Sequence, residues 1–404
     1  MYTQSKRIES LDSIRGLAAL AVLLCHIIGV FAWPNSLTSW TSFPIINVLF
    51  DGRSAVTMFF VLSGFVLSRP YLALPPNGQA PRQLFVPTFY LRRIARIWIP
   101  WFCVFCLSAI LRTHLFHIYD TVPPMSEWIR GFWSYPLTIS HFVGQCAFIY
   151  HNGQRQLLPQ DWSLGVELIG SALIPVFVFL ARKRSLYLIG AGVLLLICVP
   201  LGAGPYFVSS VLGVFAARYY FSFVLGVLTA RYYNIIESTI RRFTFTTKCG
   251  ILAFGVILYQ IRLVVSHLSG RETTAIEDHV VWCVCSIGCV FIITATLGSN
   301  HIQKVLSHGM LVLLGRISYS VYLLQFIVLL CVLPPVVRGL NLMGVQGILV
   351  LLPLTVCIGV IVTLLSAAFT YLMVEVPSIE FGRWISTFIQ NRVLKTPPIP
   401  REIT

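Results

Sequence analysis

Residues 279–298 form a stretch of twenty residues with no Asp, Glu, Lys or Arg. About 20 mainly apolar residues is the length an α-helix needs to cross the hydrocarbon core of a bilayer. Nine more apolar runs, bounded by charge or by Pro and Gly clusters, fall near residues 11–32, 53–74, 97–116, 163–181, 186–202, 207–230, 248–267, 310–335 and 346–374. The 404-residue chain is 57% hydrophobic and 11% charged, whereas soluble domains carry about 25% charged residues. Backbone polar groups in lipid must be satisfied within the protein, so the expected fold is all-α, a polytopic transmembrane helical bundle of about ten spans. Residues 131–150 are aromatic but interrupted by Ser134-Tyr135-Pro136, His141 and Gln145, which suits an interfacial or re-entrant piece better than an eleventh span.

The net charge of +15 raises the question of a nucleic-acid partner. The basic residues, however, sit in the loops between apolar runs, so no nucleic acid is expected. With the N-terminus inside, nineteen Lys and Arg fall in inner segments and five in outer ones, from Lys6 and Arg7 through Arg182, Lys183 and Arg184 to Arg392, Lys395 and Arg401. Positive loops stay cytoplasmic, so this bias favours an even number of spans with both termini cytoplasmic. An eleventh span would reverse every later loop. The charged N-terminus resembles a signal peptide, but its apolar run lacks an obvious small-residue cleavage site and is expected to remain as a span.

Eight of the eleven cysteines, among them Cys25, Cys103, Cys106, Cys283, Cys285 and Cys289, lie inside apolar stretches and read as small hydrophobes. Cys103 and Cys106 have no partner ligands nearby, and no metal site is expected. No internal repeat of transporter type is visible. The long outer segment 117–162, with His117, His141 and His151 and a Pro-Pro pair, is a candidate lid or acceptor surface, or simply a connection between helices.

Ionisable groups inside hydrocarbon cost about 2.5–3.5 kcal/mol each on insertion scales, which makes Arg15 and His26 in the first run functional candidates. Eleven residues apart, they are three turns and about 20° out of phase, on one helix face and separated by a rise of roughly 16 Å. In the structural alternative Arg15 snorkels to the interface and His26 hydrogen-bonds a neighbouring helix.

The segment Leu11-Asp12-Ser13-Ile14-Arg15-Gly16-Leu17, followed by His26, resembles the opening motif of the acyltransferase 3 family of integral-membrane acyltransferases. Further matches follow in order: Phe59-Phe60-Val61-Leu62-Ser63-Gly64-Phe65; Arg92-Arg93-Ile94-Ala95-Arg96; Trp162-Ser163-Leu164-Gly165-Val166-Glu167; Leu314-Gly315-Arg316-Ile317-Ser318-Tyr319-Ser320-Val321-Tyr322-Leu323; and Val374-Glu375-Val376-Pro377. The resemblance covers residues 8 to about 384, giving a transmembrane domain over 1–384 and a cytoplasmic tail over 385–404. Two departures are Thr57, where an aspartate is common, and Gln325, where a histidine often follows. The hydrolase-like domain that some members append is not expected here.

The resemblance implies a multi-pass enzyme of the inner cell membrane that moves an acyl group, most often acetyl, from cytoplasmic acyl-coenzyme A to a hydroxyl of a cell-surface glycan such as an O-antigen, exopolysaccharide or capsule sugar. Acyl-coenzyme A would be a co-substrate, with no permanently bound cofactor, and membrane lipid and a glycan or lipid-linked glycan would be the partners. Arg92, Arg93 and Arg96 suit the phosphates of coenzyme A, because guanidinium forks pair with phosphate oxygens; the same cluster would also enforce topology or bind acidic lipid. Arg15 is assigned to the donor entrance. His26 is the expected general base, or carries the acyl group itself. Asp12, Glu167 and Glu375 are supporting candidates, the two glutamates orienting a cation or a histidine or else pairing with Arg15 or Arg316. Ser63-Gly64 is expected to permit close helix packing. Acylation of a small secondary metabolite, and transport of a lipid-linked sugar, are the competing readings.

Overall fold

In a computed structural model of the protein, the described residues are 8–73, 86–134, 136–146, 157–201, 217–269 and 275–393. They form a helical bundle. The principal helices are α1 (Glu9–Gly29), α2 (Gly52–Leu72), α3 (Val86–His114), α4 (Asp161–Lys183), α5 (Ser185–Leu201), α6 (Ala217–Arg231), α7 (Phe245–Tyr259), α8 (Ala275–Gly298), α9 (Gly309–Cys331), α10 (Ile348–Thr370) and α11 (Val376–Val393). Among the described residues, seven stretches are long and apolar enough to cross a membrane: α1, α2, α3, α4, Glu277–Gly298, Gly309–Leu342 and Ile348–Arg392. Each of the ten apolar runs is mostly helix where it is described, but α5, α6 and α7 are shorter. Most of the run 207–230 before α6 lies outside the described residues. The segment 131–150 contributes an eight-residue helix, Ile139–Cys146, about 12 Å long and far short of a bilayer.

Two glycine crossings set the bundle's geometry. A Cβ on Gly16 of α1 would stand 2.6 Å from the Gly315 nitrogen of α9, and one on Gly315 would stand 2.2 Å from the Asp12 carbonyl oxygen. Gly64 of α2 and Gly226 of α6 meet in the same way, each within 2.3 Å of the other helix's carbonyls if a Cβ were added. With no hydrophobic drive between helices in lipid, such close backbone approach supplies the packing energy, and Gly64 fills the role its sequence suggests. The first crossing brings the N-terminal halves of α1 and α9 together, with Asp12 and Arg15 opposite Arg316 and Tyr319.

At its C-terminal end α10 does not stop. A π-helical turn, Tyr371–Glu375, joins it directly to α11, so one helix runs from Ile348 to Val393. Pro377 lacks an N–H and cannot donate to the carbonyl one turn back, a defect a wide turn accommodates. The helix continues past residue 384, so the segment expected as a tail begins as helix. On the opposite side the connection between α3 and α4 folds over the C-terminal end of α1. Ala32 N donates to Pro124 O at 2.9 Å, Ser126 N to Val30 O at 2.9 Å, and Ser126 Oγ to Gly29 O at 2.6 Å. Farther along, Trp133 Nε1 donates to Leu157 O at 2.9 Å and Leu157 N to Gln145 Oε1 at 2.9 Å, drawing the buried Leu157 and Leu158 into the core ahead of α4.

Candidate active site

Where α1, α3 and α9 begin, the helices enclose a cavity of about 510 Å³, within the range usual for small-molecule sites. Five arginines line it: Arg15 on α1, Arg93 and Arg96 on α3, Arg316 on α9 and Arg383 on α11. Four carboxylates face them, Asp12, Glu167, Glu375 and Glu380. Farther in, Val56, Phe59, Phe60 and Leu164 make the walls apolar.

The charges divide into two groups. Arg15 Nη1 lies 3.2 Å from Asp12 Oδ1, one turn away on α1. Arg93 pairs with Glu167 across α3 and α4, its Nε donates to Ser171 Oγ at 2.8 Å, and Ser63 Oγ donates to Glu167 Oε1 at 2.8 Å. Glu375, 1% exposed, accepts from Ser320 Oγ at 2.8 Å. Tyr319 OH donates to Ile97 O at 2.6 Å and so ties α9 to α3. In the second group, the side chains of Arg96, Arg316 and Arg383 make no hydrogen bond or ion pair to any of the described residues. Three guanidinium groups thus reach the cavity with their donors unspent.

His26 lies beyond the inner end of this cavity, not in its lining. The boundary is a layer of Phe59, Ser163 and Tyr322, in which Ser163 Oγ and Tyr322 OH are 2.6 Å apart and the Phe59 and Tyr322 rings are edge-on at 6.0 Å. One turn outward on α9, Gln325 Oε1 lies 3.0 Å from His26 Nδ1. The imidazole is half-buried between Trp128 of the outer segment, stacked at 5.5 Å, and Phe326 at 4.9 Å. The outer segment therefore covers the histidine with an aromatic side chain. Among the described residues no group of three or more His, Cys, Asp or Glu is placed to hold a metal ion.

This arrangement of arginines, buried carboxylates and a deep histidine sits on the six segments that suggested a family from sequence. The model of the acyltransferase-domain family matches residues 8–372, from the start of α1 into the π-helical turn. The protein belongs to the acyltransferase 3 family. Among curated proteins it is similar to the peptidoglycan O-acetyltransferase OatA of Listeria monocytogenes, 28% identical over 203 residues, which are 47% of this chain and 28% of that protein. It is also similar to the acyltransferase MdmB of Streptomyces mycarofaciens, 28% identical over 199 residues, 48% of this chain and 46% of that one. In each case the aligned region is less than half of the relative's length. No solved structure matches the chain significantly.

The motifs of the acyltransferase 3 family converge unevenly on the cavity. Asp12, Arg15, Arg93, Arg96, Glu167 and Glu375 all line it. Arg92 does not; its turn of α3 faces α11, where a Cβ on Gly382 would come 3.4 Å from Arg92 Cα. Glu167 finds its cation in Arg93, not in Arg15 or Arg316. Tyr322 and Ser163, quoted within motifs but given no role, form the layer below His26. Arg383 and Glu380 come from helix beyond the last motif.

The Arg93–Glu167 pair is 13% and 14% exposed, so removing one member strands a charge inside the bundle. Breaking such a pair costs about 3–5 kcal/mol. Glu167→Ala is expected to lower the thermal unfolding midpoint in detergent sharply, and the double variant Arg93→Met with Glu167→Ala to recover most of the loss. An additive double variant would mean that the two side chains do not interact.

Proposed function

We propose that this protein is a membrane O-acyltransferase that uses a cytoplasmic acyl-coenzyme A, acetyl-coenzyme A foremost, to acylate a hydroxyl of a cell-surface glycan. The observation that carries this reading is the set of three unengaged arginines, Arg96, Arg316 and Arg383, at the mouth of a cavity whose depth is apolar. Coenzyme A presents a pyrophosphate and a ribose phosphate at one end of a thin, uncharged pantetheine arm. Guanidinium groups suit the phosphates, and the Phe59 and Phe60 walls suit the arm. The peptidoglycan acceptor named for the OatA relative supports a glycan as the acyl acceptor.

In this reading the bundle makes ten crossings of the inner cell membrane, with both termini and the arginine mouth on the cytoplasmic side, as the loop charges favour. The acyl arm passes between α2 and α9, past Phe59 and Tyr322, to reach the histidine. His26 takes the proton from the acceptor hydroxyl as its oxygen bonds to the acyl carbon. The carbon–sulfur bond breaks, and the thiolate leaving on coenzyme A receives that proton from the imidazolium. Arg15 and Arg93, held by Asp12 and Glu167, shape the donor entrance, and Arg92 keeps a role outside the cavity.

The test is purified protein in lipid vesicles, incubated with acetyl-labelled coenzyme A and candidate glycans. Label transferred to a glycan hydroxyl with matching release of free thiol is the expected result; passage of unmodified glycan without thioester loss would overturn the enzymatic reading, and label only on a small metabolite would overturn the glycan acceptor. Replacing Arg96 and Arg316 together with Gln is expected to raise the donor KM roughly a hundredfold, from about 1.5 kcal/mol or slightly less per charge-assisted contact. The parent's donor KM should rise with ionic strength and the variant's should hardly move.

A further inference from the structure

The hydrogen bonds around Gln325 fix which nitrogen of His26 carries the proton. Gln325 is fully buried on α9 and makes two contacts, one through each end of its amide. Its Nε2 donates to the Tyr322 carbonyl oxygen at 3.1 Å, and a carbonyl can only accept, so the NH₂ end is assigned to that side. The other end, Oε1, therefore faces His26 Nδ1 at 3.0 Å. An amide oxygen has no proton to give, so Nδ1 must be the donor. Nε2 then holds the lone pair, and it has no hydrogen-bond partner among the described residues.

We propose that Gln325 is a positioning residue that holds His26 as the Nδ1–H tautomer between Trp128 and Phe326, leaving Nε2 as the atom that takes the acceptor's proton. This rests on the acyltransferase reading above. Among the described residues, the hydrogen-bond and ring contacts of the imidazole are the Gln325 amide and the Trp128 and Phe326 rings, none of them titratable. A neutral amide orients the imidazole without offering a full negative charge to an imidazolium. A histidine side chain in that place could either donate or accept and would leave the tautomer of His26 unassigned.

Two substitutions separate positioning from packing. Gln325→Met keeps length and volume and loses the acceptor; Gln325→Glu keeps the acceptor and adds charge. ¹⁵N-histidine spectra of the full-length protein in detergent, with the His26 signal found by difference from His26→Asn, are expected to give protonated Nδ1 in the parent and in Gln325→Glu. Gln325→Met should shift the population towards protonated Nε2. In kinetics, Gln325→Met should lose roughly tenfold in kcat, as for one hydrogen bond of about 1.4 kcal/mol, at unchanged donor KM. Gln325→Glu should retain most of kcat, with the acid limb of its pH profile displaced to higher pH because the carboxylate stabilises the imidazolium. A parent signal protonated at Nε2, or Met and Glu variants that match each other in tautomer, rate and pH profile, would overturn the proposal. A parent that transfers no acyl group would instead overturn the acyltransferase reading, and the spectra would still decide the part of Gln325.

Discussion

Replacing His26 with alanine is expected to reduce acyl transfer by 10²–10⁴-fold, the range a general base supplies, while leaving donor binding intact. The second half of that expectation comes from geometry: His26 stands beyond the Phe59–Tyr322 layer, outside the cavity that holds the arginines. Kd for a non-transferable coenzyme A analogue should therefore match the parent's, and the unfolding midpoint should fall only modestly, through lost contact with Trp128 and Phe326. Acylation retained above a tenth of the parent rate would remove His26 from the mechanism. Intact-mass measurement of the parent with donor and no acceptor separates the two roles open to the imidazole. An acyl adduct mapping to His26 identifies a covalent carrier, and its absence leaves a base.

The second large effect concerns folding. Gly315→Leu should abolish recovery of monodisperse protein from detergent, because the new Cβ alone would lie 2.2 Å from the Asp12 carbonyl oxygen and 2.4 Å from its carbon. Those atoms are backbone, so α1 and α9 have to separate, at a cost above the roughly 1–3 kcal/mol typical of overpacked cores. The separation would also pull Asp12 and Arg15 away from Arg316, dismantling the mouth of the cavity. Gly339→Leu is the control: nothing lies within 4 Å of a Cβ at that position, and normal recovery is expected. Equal recovery of the two variants would show that the crossing is dispensable.

Much of the helical layout was legible because a membrane helix announces itself by composition alone, without needing a periodic face. Arg15 and His26 share one helix, α1, so helical phase alone relates them. What the phase could not reveal was the partition between them, because Phe59, Ser163 and Tyr322 come from three other helices. The arginine block illustrates the same limit. Arg92 and Arg93 are about 100° apart on α3 with Arg96 between them, and only the positions of α4 and α11 decide which flank faces the cavity. The pairing of Glu167 with Arg93 follows from that choice. Arg383 and Glu380 lie beyond the last motif, on helix that carries on through Pro377, so no motif pointed to them. Gln325 was noticed as a departure from the family pattern, and the structure supplies its meaning by setting its amide beside His26.

The wide turn at Tyr371–Glu375 does more than excuse a proline. Leu372 and Met373 are each 60% exposed, three and two residues before a glutamate that is 1% exposed. One surplus residue advances the azimuth of everything after it by about 100°. Without that offset, Glu375, Glu380 and Arg383 would turn away from the cavity as one block. A single surplus residue thus sets the phase of the charged lining, while apolar side chains stay exposed along the rod on both sides of it, Ile361, Leu365 and Phe369 before the turn and Phe381, Trp384 and Phe388 after it.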